Sequence, residues 1–448
     1  MKEKKVKTPI DDFVREYCEK GVSRFHMPGH KGQSFLGCES LDITEISGAD
    51  VLYSPDGIIE QSENIASELF GTAHTFYSAE GSSLCIKAML ALAISGVKGK
   101  KKILAARNAH KAFVYGCALL DIEIIWMYPS EKTSLCSVRV CADEVRAAIE
   151  ENPDVCAVYL TSPDYLGNIA DISEISRVCD EFSIPLLVDN AHGAYLKFMH
   201  NDAHPITLGA YACCDSAHKT LPVLTGGAYL HISKKADDEY VKNARNMLSV
   251  FASTSPSYLI LQSLDICNRY LSQDFSDKLK ICIERTDRIK KSLRKKGFVL
   301  SGDEKLKIVI DAKKSGYSSF ELEDILRENL VECEFSDGDF LVLMASCENS
   351  EQDFLRIEKA FEAISAKEPI CEESLFPTPC KRATDVRGAI FAAREKIKVD
   401  DSVGKICGCP AVSCPPAIPI VTSGEIIDEN AVRLFKKYGI YEIDVVKI

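Results

Sequence analysis

Nowhere in the 448 residues does an apolar run approach the roughly 18 positions that a membrane-spanning helix requires. The opening Met1-Lys2-Glu3-Lys4-Lys5 leads into no apolar stretch of the kind that directs export. Neither a membrane anchor nor secretion is expected, and a cytoplasmic location is. Positive charge is short: 54 Lys and Arg stand against 66 Asp and Glu, a formal net charge of −12. Proteins that grip a phosphate backbone need clustered cations, so no nucleic-acid partner is expected. An acidic chain suits a site that draws in cationic small molecules, although a solvated surface accounts for the same charge. The G-x-x-x-x-G-K-[ST] phosphate loop and the G-x-S-x-G nucleophile elbow are both missing, which removes two common enzyme classes. Internal repeats and low-complexity tracts are missing too.

Cysteine, by contrast, is plentiful at 19 residues. In a chain of this length with no export signal these read as reduced thiols rather than a disulfide framework. Cys85, Cys117, Cys156, Cys213, Cys214 and Cys282 sit within apolar runs, as buried thiols do. Cys407, Cys409 and Cys414 form the one cluster, but lack the pair spacing and fourth ligand of a structural metal site, so no metal is expected.

Hydrophobic content of 46% and charged content of 27% are those of an ordinary globular enzyme. Apolar, β-rich runs at 102–106, 122–127, 155–161, 184–189, 211–215 and 228–232 alternate with helical patterns such as 82–95 and 141–150. Several runs are continuously apolar, the mark of strands covered on both faces. The alternation predicts an α/β domain with a mainly parallel sheet. Beyond about residue 270 a charged helix (276–296) leads into a strand (307–312), a helix (319–329) and two strands (331–335 and 340–345) joined by a turn at 336–339. Ser350 then starts a helix to 364, a connector follows at 368–380, and a helix is predicted near 385–398. Residues 1–270 are thus expected to form an arm and a large domain, 271–366 a smaller α+β domain and 367–448 a closing segment. Proline stiffens that segment at 415–419.

Two strand ends carry the chemistry. The run 186–189 ends in Asp189, and 211–215 is followed by Ser216, Ala217, His218 and Lys219. In parallel sheets ligands sit at the carboxyl ends of strands. A lysine there can hold pyridoxal phosphate (PLP) covalently, and a carboxylate there can keep the pyridine nitrogen protonated. Gly81, Ser82 and Ser83 open a helix, where free N–H groups and the helix dipole suit the cofactor's phosphate, although a simple helix cap reads the same way. Ser216 and His218 can add phosphate donors. His110, just past the strand 102–106, can stack on the pyridine ring or cap a helix, and His192 has the same two readings.

Several blocks together resemble the Orn/Lys/Arg decarboxylase family of PLP enzymes, in order along nearly the whole chain. They are 24–32 (RFHMPGHKG), 44–50, 57–59, 70–71, 81–83, 107–111 (RNAHK), 161–167 (TSPDYLG), 189–193 (DNAHG), 216–225 (SAHKTLPVLT), 415–419 (PPAIP) and 424–425. The resemblance implies an aminotransferase-like fold in the short form without an N-terminal wing domain. It implies decarboxylation of arginine, lysine or ornithine to CO₂ and an amine in polyamine metabolism, by a homodimer or higher homo-oligomer. Lys219 would carry PLP, Asp189 would pair with the pyridinium, His110 would stack, and Ser82, Ser83, Ser216 and His218 would hold the phosphate. Glu425 in the closing motif would read the substrate's distal cation, unless it serves the start of a helix at 428–437. The chain departs from the family at Gly226-Gly227, Ala417 and Ser423, which touches substrate choice. Two alternatives remain open. One is an aminotransferase or other lyase, with Arg382, Arg387 or Arg394 clamping the α-carboxylate. The other is a homologue that binds PLP without turnover.

Overall fold

The computed structural model describes residues 6–129, 134–372, 375–410 and 416–447. Cys414 and Pro415, members of the expected cysteine cluster and proline segment, lie outside the described residues. The strands in chain order are β1 (His74–Ser78), β2 (Lys101–Ala106), β3 (Ile122–Met127), β4 (Ala157–Thr161), β5 (Leu186–Asp189), β6 (Ala212–Asp215), β7 (Ala228–Ile232), β8 (Val299–Ser301), β9 (Lys307–Asp311), β10 (Phe335–Ser336), β11 (Phe340–Met344), β12 (Arg394–Lys398) and β13 (Glu442–Val446). They belong to two compact units, Met1–Gly96 with Ile172–Lys278 and Val97–Asp171 with Leu279–Ile448.

In the first unit the strand order is β1-β7-β6-β5. β5 and β6 are parallel, with Asp189 opposite Cys214, while β7 runs antiparallel to both β6 and β1. Every residue of β5 and β6 is buried, including the terminal Asp189 and Asp215. Continuous Leu-Leu-Val and Ala-Cys-Cys runs make that possible, and the carboxylates arrive where the sheet stops. The helix Ser82–Ala93 packs on β6 and β7, and its residues are apolar on nearly every side. β1 is a strand that the sequence pattern did not predict. His74, Thr75 and Ser78 interrupt its apolar character, and pairing with the distant β7 supplies what local pattern lacks: Thr75 sits opposite His231 and bonds to its Nδ1 at 2.9 Å.

In the second unit β4, β2 and β3 form a parallel set in that order. The mainly parallel α/β pattern expected from the apolar runs is thus present, accompanied by smaller antiparallel sheets. One has the order β10-β11-β9-β8, and the other is the ribbon β12-β13. The expected hairpin near 336–339 forms, with Phe335 opposite Val342 and Ser336 opposite Leu341, but residues 331–334 lie outside any strand. The helix begun by Ser350 ends at Ala360, short of 364. The helix expected over 385–398 is a correction: Asp385 caps a short helix, Val386–Phe391, and residues 394–398 pair instead with β13. A partner strand far along the chain decides the conformation there. Val309, Phe335, Val342, Ile418, Ile420, Leu434, Phe435 and Val445 meet in one apolar core, so the closing segment is part of this unit's interior. No helix among the described residues is long and apolar enough to cross a membrane.

Candidate active site

The first unit brings Asp189, His192, Lys219, Ser216 and Ser82 to the carboxyl ends of β5 and β6. Asp189, 2% exposed, accepts the Ala191 main-chain N–H at 3.2 Å and the Cys214 thiol at 3.6 Å. Lys219 lies in a single helical turn after β6, and its Nζ is 3.0 Å from His192 Nε2. Ser216 donates to Ser82 Oγ at 2.8 Å, so the hydroxyls following β6 and opening the helix Ser82–Ala93 share one place. Ser83 follows in the first turn, where main-chain N–H groups have no partner within the helix. Gly81 enters that turn at φ +70°, a conformation suited to glycine, and its N–H donates to Gly226 O at 2.7 Å.

The acceptor of that last bond belongs to the Gly226-Gly227 departure. Gly226 has φ +98°, and a Cβ there would stand 3.1 Å from Ala79 O. A Cβ on Gly227 would stand 2.2 Å from Val223 Cγ1. The two glycines let the loop after Lys219 close against the serine turn. His218 takes part in the same closure. Both its main-chain N–H and its ring Nδ1 contact Gly227 O, at 3.1 and 2.9 Å, and burial lowers its pKa. His218 thus anchors that loop through its main-chain N–H and one ring nitrogen.

His110 and Glu425 belong to the second unit. His110 caps the helix Lys111–Leu120, its Nδ1 accepting from Ala112 N at 3.1 Å. The loop it occupies holds the closing segment: Arg107 donates to Pro419 O and Ile420 O at 2.8 and 2.9 Å, and Lys111 N donates to Ala417 O at 2.9 Å. Ala417 adopts φ +58°, where glycine would carry no steric cost. Glu425 is 5% exposed and accepts from Thr422 N at 2.8 Å. Burial raises its pKa, against the opposing pull of Arg107. The helix that follows, Glu429–Lys437, is capped by Asp428 through Ala431 N, so Glu425 is not its starting residue. Gly424 is held at φ +90°, and a Cβ there would lie 2.4 Å from Thr384 O.

The arginines considered for an α-carboxylate clamp are engaged elsewhere. Arg382 pairs with Glu123 at 3.0 Å and donates to Ile124 O, and Arg387 donates to Ala118 O and Leu119 O. Arg394 lies on β12, its side chain against Gly408. Four residues of the first unit that sequence reasoning passed over also matter: Asp215, His204, His231 and Asn190, joined by hydrogen bonds at 2.7–3.1 Å. Their signal was present, since an Asp and a His inside apolar strands must find buried partners.

The donor set fits PLP: a buried carboxylate, an amine on the next strand's exit and two hydroxyls at a helix start occupy adjacent strand ends. Together with the α/β fold it defines a PLP-dependent enzyme of the aminotransferase-like class. The model of the Orn/Lys/Arg decarboxylase major domain matches residues 8–325, and the chain belongs to that family. It is 29% identical to an arginine decarboxylase of Halalkalibacterium halodurans, over 94% of this chain and 91% of that protein. An arginine decarboxylase of Bacillus subtilis is also 29% identical, over 96% and 93%. Among solved structures, the lysine decarboxylase of Francisella novicida aligns with a TM-score of 0.82 at 16% identity, covering 98% of this chain and 81% of that one. The constitutive lysine decarboxylase of Escherichia coli aligns at 0.77 and 15%, covering 98% and 82%. The protein is a PLP-dependent decarboxylase acting on a basic amino acid.

Proposed function

We propose that the substrate is arginine, converted to CO₂ and agmatine as an entry into polyamine metabolism. The observation that carries the chemistry is the meeting of Asp189, Lys219 and the Ser82–Ser216 pair at neighbouring strand ends. The choice of arginine is supported by the two arginine decarboxylases that align over nearly the whole chain.

PLP, when bound, supplies the electron sink that lets the Cα–carboxylate bond break. Lys219 is the residue that binds it covalently, and Asp189 keeps its ring nitrogen protonated. Ser82, Ser83 and Ser216 hold the phosphate, and His218 joins them in protonated form, which a nearby dianion favours. His110, at the start of the helix Lys111–Leu120, would stack on the ring. Lys219 Nζ, next to His192 Nε2, returns a proton to Cα after CO₂ leaves. Glu425 meets the distal guanidinium, because a buried cation without an anion is costly. Functional division of the chain near residues 270 and 366, an assembly of at least two copies and a cytoplasmic location complete the proposal. Exposed Phe25, Phe35 and Leu36 in the first unit supply apolar surface for pairing.

The test is a panel of arginine, lysine and ornithine, with CO₂ release and product mass measured. Agmatine from arginine, with the other two substrates much slower, is expected. Keto products would instead support transamination, and PLP binding with no product would support a non-catalytic homologue. Lys219→Ala should abolish turnover and the borohydride-reducible bond to PLP. Glu425→Gln should raise KM for arginine while PLP stays bound; unchanged KM removes Glu425 from the substrate site.

A further inference from the structure

Asp215 ends β6 with no exposed surface, and neither His204 nor His231 is exposed. Phe70 packs over both rings, with centroids 4.5 Å from His231 and 5.5 Å from His204. An ionised carboxylate so enclosed is costly unless donors surround it. Three do. His204 Nε2 and His231 Nε2 contact Asp215 Oδ2 at 3.0 and 3.1 Å, and Asn190 Nδ2 donates to Oδ1 at 2.7 Å. His204 Nδ1 accepts from Ile206 N, so its proton is on Nε2 and that atom is a donor to Asp215 rather than a metal ligand. The cluster is a closed hydrogen-bond hub.

Asn190 carries the hub to the catalytic centre. It stands between Asp189 and the Ala191-His192 pair. Its own N–H is fixed to Cys214 O at 2.9 Å, and its carbonyl accepts from Gly193 N at 2.8 Å. A Cβ on Gly193 would lie 2.1 Å from Asn190 Oδ1, so the loop is built around the position of that amide. Asp215 leads directly by main chain into Ser216 and Lys219. One side chain thus grips the loop after β5 while its backbone begins the loop after β6.

We propose that Asp215 is a positioning residue for decarboxylation: acting through Asn190 from a base of His204 and His231, it sets Asp189 and His192 in register with Ser216 and Lys219. This rests on the reading of Asp189 and Lys219 as cofactor residues. Nothing about the hub requires contact with substrate, so its loss should alter kcat and the cofactor's setting more than KM.

The test compares Asn190→Ala, Asp215→Asn and the double variant as PLP-loaded enzymes. Asn190→Ala should fold and bind PLP, change the visible circular dichroism of the bound cofactor, and lower kcat by about ten- to a hundredfold with KM little changed, as small misplacements of reacting groups do. The double variant should be no worse than Asp215→Asn alone, since both remove the same link. Thr72→Val, which removes a hydroxyl bonded to Thr75 behind His231, should lower the melting temperature and leave the dichroism unchanged. Asn190→Ala with wild-type dichroism and kcat overturns the proposal, as does an equal change in Thr72→Val. Lys219→Ala in parallel separates the two readings: if it keeps the borohydride-reducible bond, the cofactor assignment fails and not the hub alone.

Discussion

Two aspartates of the first unit, Asp215 and Asp265, have no exposed surface, yet their acidities move in opposite directions. Burial pushes both upward. At Asp215 the two imidazoles overcome it and bring the pKa below the ordinary carboxylate range. At Asp265 burial wins and the pKa rises to about 7, although Ser62 and the N–H groups of Asp11 and Ile10 oppose it. The N–H groups of Ile10 and Asp11 donate to Asp265 Oδ2 at 2.9 and 3.0 Å, tying the start of the helix Pro9–Glu19 to the helix Tyr258–Leu271. The Asp11 carboxylate lies close enough to add repulsion. Depth alone therefore does not set the charge of a buried acid. The kind of donor and the sign of the neighbours do.

The largest expected effect tests that contrast directly. Asp215→Ala leaves His204, His231 and Asn190 without their acceptor, at about 1–3 kcal/mol for each unmet buried donor. Asp265→Ala also leaves three donors, Ser62 Oγ and the N–H groups of Ile10 and Asp11, but it removes an acid whose charge burial disfavours, which offsets much of that loss. Urea unfolding should show Asp215→Ala as clearly the more damaging; equal losses would break the comparison.

A second measurement reads the sign of each shift. Asp265, raised from 3.8 to about 7, binds its proton more tightly when folded. Its contribution to stability is present below its unfolded pKa and is lost as pH rises through about 7. Asp215 is depressed, so its contribution holds at neutral pH and is lost only in strong acid. Asp265→Asn should flatten the fall in stability between the unfolded value of 3.8 and about 7, while Asp215→Asn should leave that interval's slope alone. Denaturation curves across that range check both. An unchanged slope in Asp265→Asn would show that its carboxyl titrates normally.

The smallest effect sharpens the contrast between charge and backbone. Ala417 holds φ +58° in the second unit, and a left-handed alanine costs roughly 1–2 kcal/mol. Glycine gives back part of that gain through its freer unfolded chain. Ala417→Gly should raise stability by about 0.5–1 kcal/mol, with the Lys111–Ala417 hydrogen bond retained. A lowered midpoint in urea would show that the methyl's packing outweighs the strain.

How much of this could be read in advance differs by residue. Asp189, Lys219 and Ser82 stood out because each follows or precedes a run whose apolar character is local. β3 and β7 matched their apolar runs residue for residue, as continuous hydrophobic stretches do. β1 and β12 did not stand out, because Thr75 and His74 in one, and Arg394 to Lys398 in the other, acquire strand conformation from partners far along the chain. His218 stood out by its proximity to Lys219, and only the structure shows its ring Nδ1 held by Gly227 O, nine residues along the chain.

By itself the sequence determined the α/β alternation, the strand ends that carry Asp189 and Lys219, the serine turn, and membership of a family whose motifs run in order through the chain. The first three depend on neighbours within a few positions, so composition and spacing suffice; the family follows from motifs matched one by one along the chain. Only the tertiary structure decided that Asp215 is surrounded by donors while Asp265 sits near another acid. It also decided that Glu425 lies buried beside Thr422 rather than at a helix start, and that Gly226 lets one loop close on another. Those outcomes rest on groups brought together from distant segments, and electrostatics and close packing act through space rather than along the chain.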